Sequence, residues 1–291
     1  MLNFTLSGNC HLVNGRSTYF CRMIKRILLW LVLLISIIAC NNPDHKKENR
    51  ESVAQPASAR EKILKDSILK FPGSFLLKEQ LIQYYRDNED FDKAIATANE
   101  ALLKDSLNDR LWDIKATLYF ENDDTLHAIK AFETALQIKP QPRYIILLGS
   151  LYAQTKNIKA LDMADFLLQA KIADTDKEAF FIKGLYYNYN SEKIKAISFF
   201  DKCLNLDYNY MLAYREKAIA LYDMGKYEDA IIVLNKAVTL QRKFDEGYYW
   251  LGRCQEKLNK PAEAIEAYKT ALMYSPDYLE AKEALERLDV K

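Results

Sequence analysis

Residues 111–140 read LWDIKATLYFENDDTLHAIKAFETALQIKP. Trp112, Ala116 and Tyr119 stand four and three residues apart, as do Ala128, Phe132 and Ala135, so each set lies on one face of a helix. Between the sets lies ENDDT, whose Asp and Thr suit a turn and the N-cap that follows it. The stretch therefore reads as helix, turn, helix. Its small residues sit where two backbones approach closely, and its larger apolar residues fill the adjoining holes.

Outward from this unit the pattern recurs. Ala94, Ala128, Ala196, Ala230 and Ala264 are separated by 34, 68, 34 and 34 residues. A second row, Ala101, Ala135, Cys203, Ala237 and Ala271, runs seven residues behind, and Ala98, Phe132, Phe200, Leu234 and Tyr268 lie between the two. Pro72, Pro140 and Pro276 keep the same phase. A fixed period of this length marks stacked supersecondary units, each unable to bury its apolar face alone.

With Trp, Leu-Gly, Tyr, Ala, Phe, Ala and Pro at these offsets, the repeat resembles the tetratricopeptide repeat. The last copy carries Tyr248, Leu251, Gly252, Ala264, Tyr268, Ala271 and Pro276, with Gln255 where tyrosine is usual. The fourth carries Phe180, Gly184, Tyr187, Ala196, Phe200 and Cys203. The third departs: Leu148, Gly149 and Tyr152 come one residue early, Ala160, Ala164 and Leu167 two early, and AKIADTDKE restores the frame. The resemblance implies an all-α, right-handed superhelical solenoid of about six full repeats over Phe75 to Tyr278. AREKILKDSILKFP supplies an N-terminal half repeat. LEAKEALERLDVK, with Leu279, Ala281, Ala284, Leu285 and Leu288 on one face, supplies a C-terminal capping helix.

Ahead of the repeats stands MIKRILLWLVLLISIIACNN, Met23 to Asn42. Its uncharged run from Ile27 to Ala39 has 13 residues, short of the roughly 20 that a membrane-spanning helix needs. Lys25 and Arg26, the apolar run and small Ala39 match the parts of a secretory signal. Ile37-Ile38-Ala39-Cys40 resembles the lipobox of bacterial lipoproteins, which implies cleavage before Cys40 and acylation of that cysteine. The expected organisation is an over-extended N-terminus over 1–22, a lipoprotein signal peptide over 23–39, a lipidated cysteine with a polar tether over 40–58, and the solenoid over 59–291.

Removal of residues 1–39 leaves 252 of the 291, and takes four cations and no acids, so the net charge moves from +1 to −3. That balance argues against a nucleic-acid partner, which needs a basic face. Besides Cys40, the remaining cysteines, Cys203 and Cys254, form neither a disulfide framework nor a zinc set. Cys203 falls in a small-residue slot and is expected to be an inert buried thiol. The sequence holds no HExxH, no GxSxG and no phosphate-cradling glycine loop. His45 and His127 stand alone, and Asp87, Glu89 and Asp90 lack the glycine and distal glutamate of a calcium loop. The expectation is a non-enzyme with no cofactor and no metal.

The family resemblance places the concave groove on first helices. At the groove offsets stand Phe120, Phe181, Leu185, Tyr189, Arg215, Ile219, Tyr222, Tyr249 and Arg253, aromatic and arginine side chains among them of the kind enriched in binding hot spots. Packing between repeats is the other reading of the same residues. The family's clamp for chaperone carboxylates is missing, because Glu79, Gln83, Asp113 and Thr117 occupy its positions. The functional expectation is a lipid-anchored adaptor in a bacterial envelope complex, on the outer membrane facing the periplasm, holding protein or peptide partners. An outer-surface lipoprotein that binds a ligand or glycan is the alternative.

Overall fold

The computed structural model describes residues 57–289. The signal segment, Cys40 and His45 lie outside the described residues. Helix α1 (Ala57–Lys70) begins two residues inside the segment read as tether. Six helix pairs follow: α2 (Phe75–Asp87) with α3 (Phe91–Leu102), α4 (Asp109–Glu121) with α5 (Thr125–Ile138), and α6 (Pro142–Gln154) with α7 (Lys159–Ala170). Then come α8 (Asp176–Tyr189) with α9 (Lys193–Leu206), α10 (Met211–Asp223) with α11 (Tyr227–Leu240), and α12 (Asp245–Lys257) with α13 (Pro261–Tyr274), closed by α14 (Leu279–Asp289). The described unit is an all-α repeat solenoid with a half repeat at one end and a cap at the other.

Local chemistry starts and stops these helices. The side chains of Ser74, Asp90, Asn108 and Asp124 accept hydrogen bonds from the backbone N–H groups of Leu77, Lys93, Leu111 and His127, satisfying donors that the first helical turn leaves open. Each turn inside a repeat reverses the chain through one left-handed residue: Glu89, Asp123, Lys156, Ser191, Gly225 and Asn259, with φ between 57° and 75°. Five of these six carry a Cβ, which makes the conformation costly for them individually. The packing of both flanking helices holds it.

The alanine rows form the contact between the two helices of a repeat. Ala94, Ala128, Ala196, Ala230 and Ala264 are fully buried, and so are Phe200, Leu234 and Tyr268 one turn on. The irregular third repeat loses nothing by its phase slip, since Ala160, Ala164 and Leu167 are equally buried in the shortened α7. Two-residue displacement is absorbed by the loop after Ala170, where Lys171 takes a left-handed conformation. At the N-terminal end Leu64 of α1 packs into a cluster with Leu81, Ile82 and Tyr85, and the Tyr85 hydroxyl donates to Glu61 at 2.8 Å. At the other end Tyr278, Ala281 and Ala284 bury the cap. Leucine at position 230 should lower the urea midpoint by the equivalent of about 1–3 kcal/mol through overpacking. An unchanged midpoint would show that the row does not carry the helix contact.

Candidate functional site: the face of the first helices

Successive first helices are joined by a ladder of polar side chains. Arg110 of α4 pairs with Glu79 of α2 at 2.8 Å, and Arg143 of α6 with Asp113 of α4 at 3.1 Å. Arg86 of α2 bonds Glu121 of α4. Arg215 of α10 donates to Glu246 of α12 at 2.7 Å and to its neighbour Glu216 at 2.8 Å. Arg287 of α14 donates to both oxygens of Glu256 on α12, at 2.7 and 2.9 Å. Between α10 and α12 lies a rung of another kind: Arg253 donates to the hydroxyls of Tyr249 at 2.9 Å and Tyr222 at 3.3 Å.

The nine residues at groove offsets divide by depth. Phe120, Phe181, Leu185, Arg215, Ile219 and Tyr249 are buried, whereas Tyr189, Tyr222 and Arg253 remain partly exposed. Phe181 packs on Phe200 and Tyr210, with centroids 5.9 and 5.2 Å away. Tyr249 lies among Trp250, Tyr268 and Tyr278 at 5.0 to 5.7 Å. Arg215 is completely enclosed at 0% exposure. In the free chain these six are interior groups that fix one repeat against the next, so of the nine candidates Tyr189, Tyr222 and Arg253 are left for a partner to touch. Cys40 lies outside the described residues.

Sequence reasoning missed Glu216 and Glu246, both buried, which with the buried Asn188, itself at a groove offset of the fourth repeat, complete the interior polar network around Arg215. Their signal was slight: two acids placed within one residue and 31 residues of an arginine at a packing offset.

The other reactive side chains among the described residues stand apart from this face. Cys203 and Cys254 are free and buried, and burial pushes both thiols up, that of Cys254 to about 12. His127 is exposed at the start of α5, where its ring nitrogen lies 2.6 Å from Asp124 and its ring stacks on Tyr119 at 5.1 Å. Asp90 of the acidic turn caps α3 and bonds Lys93 at 2.5 Å. Among the described residues no group of His, Cys, Asp and Glu is arranged to hold a metal ion, and no helix is long and apolar enough to cross a membrane.

Fold and face together define a repeat scaffold suited to protein–protein interaction. The profile of the family described as Tetratricopeptide repeat matches residues 80–141 and 215–278, so these two stretches are similar to tetratricopeptide repeats. The chain is similar in fold to a tetratricopeptide repeat protein from Parabacteroides merdae, with a TM-score of 0.67, 20% identity, and coverage of 81% of this chain and 93% of that one. It is likewise similar to PilW, a type IV pilus biogenesis factor, with a TM-score of 0.55, 21% identity, and coverage of 72% and 97%. In sequence it is 27% identical over 193 residues to human anaphase-promoting complex subunit 7. That match takes in 62% of this chain and 33% of the human protein, so the chain spans about a third of the length of the curated relatives it matches.

Proposed function

We propose that this chain is a non-catalytic, lipid-anchored adaptor of a bacterial cell envelope, holding protein or peptide partners on the face of its first helices. The observation that carries the partner-binding reading is the content of that face: Tyr189, Tyr222 and Arg253 stay partly exposed there, and tyrosine and arginine are the types that dominate binding hot spots. Anchoring rests on Lys25 and Arg26, the apolar run to Ala39, and Cys40. Each buried acyl methylene contributes about 0.8 kcal/mol, and two or more chains hold where one does not. The adaptor would sit on the outer membrane facing the periplasm.

Two measurements test the reading. Cys40→Ala should abolish incorporation of labelled palmitate and leave the precursor unprocessed; label on the variant, or none on the wild type, would overturn the anchor. Chemical crosslinking on native membranes followed by mass spectrometry should recover specific proteins bridged to residues of the first helices. Crosslinks confined to the second helices would place the binding surface elsewhere.

A further inference from the structure

One edge of the first repeats carries a set of exposed apolar side chains. Leu69, Phe71, Leu76, Leu103 and Leu107 are between 62% and 87% exposed. They stand at the end of α1, at the start of α2, and in the loops 71–74 and 103–108 that lead into α2 and α4. Phe75, directly after the first loop, packs on Ala101, Leu102 and Leu111, which flank the second, so the two loops are neighbours. Trp112 holds the second loop by donating from Nε1 to the Ser106 carbonyl at 2.9 Å, and the Asn108 amide donates to Asp105 at 2.9 Å. A single exposed leucine needs no explanation, but five large apolar groups on neighbouring segments mark a contact surface.

Cations are threaded through the same edge. Lys70 stands between Leu69 and Phe71, Lys104 follows Leu103, and Lys139 opens the next loop, 139–141. All three are exposed, and among the described residues none is in an ion pair. Asp105 is the one acid in the three loops. At the other ends of the same helices the sign reverses, because the turns 88–90 and 122–124 hold Glu89, Asp90, Asp123 and Asp124 and no cation. Helices of 12 to 14 residues set the two edges roughly 20 Å apart. This end of the solenoid is therefore polarised, with one edge basic and apolar and the other acidic.

We infer that this loop edge is a membrane-docking surface whose partner is an anionic phospholipid bilayer, its exposed leucines and Phe71 entering the headgroup layer and its lysines pairing with lipid phosphates. Such a bilayer satisfies both halves of the pattern at once, since it takes up apolar side chains at the acyl boundary and attracts cations at its surface. It also repels the acidic edge, which fixes the orientation. Sixteen residues separate Cys40 from Ala57, a contour of at most about 55 Å, so acylation of Cys40 would hold this edge within reach of the bilayer. The inference deepens the lipid-anchored reading and rests on it for the presence of a membrane.

The test uses the full chain reconstituted into vesicles, with a photoreactive benzophenone amino acid in place of Leu103 or, as control, of Leu126, which is equally apolar and 69% exposed beside the acidic turn 122–124. On vesicles of phosphatidylethanolamine and phosphatidylglycerol, irradiation should join lipid to the chain from position 103 and not from position 126. Vesicles of phosphatidylcholine alone should cut the yield at 103 about fivefold or more, and so should Lys70→Glu with Lys104→Glu on the anionic vesicles. Both lysines are exposed, so the double variant keeps the fold. Equal yields at the two positions, no lipid adduct from 103, or a yield indifferent to lipid charge and to the lysines would overturn the surface. Adducts to a second copy of the chain, or to protein alone on native membranes, would make the edge a protein contact and overturn it too. Lipid adducts from 103 in a chain that takes up no palmitate would keep the docking surface and remove the anchor. Palmitate uptake without such adducts would do the reverse.

Discussion

Replacing Arg215 with alanine should destabilise the solenoid by about 3–5 kcal/mol, the usual effect of deleting one partner from a buried ion pair. Arg215 is fully enclosed and lies between two carboxylates, its Nη1 2.7 Å from Glu246 and its Nη2 2.8 Å from Glu216. The amide of Asn188 donates to the other Glu216 oxygen at 3.4 Å, and Lys193 donates to that asparagine at 2.6 Å. The network thus ties α8, α9, α10 and α12 together. Burial pushes the Glu246 carboxyl above the usual range, and the arginine's charge opposes that push. Without the cation the opposing charge is gone, and the buried Glu246 carboxyl becomes harder still to ionise than in the unfolded chain. The sign of the pH dependence follows: with the folded-state value of Glu246 raised, the deficit is greatest near neutrality and shrinks as the pH falls through it. Exchanging all three charged groups for apolar residues of similar volume, as in Arg215→Met with Glu216→Leu and Glu246→Leu, should cost far less, because no uncompensated charge remains. Urea midpoints of the single and triple variants at neutral and mildly acidic pH check both statements. A single variant no weaker than the triple would mean that the network carries no coupling between repeats.

The solenoid was legible because its period is written in residues with no alternative placement. Ala94, Ala128, Ala196, Ala230 and Ala264 leave room for a second backbone, and all five are fully buried. The phase slip at Ala160 was equally visible. Hidden from the sequence was the geometry of the turns, since Glu89, Lys156 and Ser191 do not advertise the left-handed conformation they take. Glycine fills that place only at Gly225. Depth on the first-helix face was also out of reach. The 34-residue template assigns a side to Phe181, Ile219 and Tyr249 but says nothing of how closely the next first helix approaches. The polar rungs escaped for a related reason, because they step by 30, 31 or 35 residues and not by the period of 34. In the rungs that step by 31, a side chain on one first helix meets its counterpart almost one turn earlier in the next, a difference of three from the period that alignment seeks.

The close contact inside repeat four supplies the other large effect. Phe200 is fully buried and its ring rests on Gly184, where an added Cβ would stand 2.4 Å from Cε1 and 2.6 Å from Cδ1. Phe200→Ala should cost about 3–5 kcal/mol, for the lost transfer of the ring and the cavity it leaves beside Phe181. Gly184→Ala should also destabilise, by about 1–3 kcal/mol from overpacking, lessened by the roughly 1 kcal/mol that alanine gains over glycine within a helix. The two changes address one volume of space. With the ring gone, the new methyl group occupies part of the cavity and the helix gains alanine's propensity at no steric cost, so the double variant should be more stable than Phe200→Ala alone. Residues in contact depart from additivity in this way, whereas distant ones do not. Urea unfolding of the four proteins measures the coupling. Strictly additive losses would show that Phe200 does not lie against Gly184, and would remove the physical reason for glycine at that place in the repeat. Gly252 repeats the arrangement in the sixth pair, where its added Cβ would stand 2.6 Å from the Tyr268 ring. The same cycle there, with Tyr268→Ala, should give coupling of the same sign if the contact belongs to the repeat and not to one position.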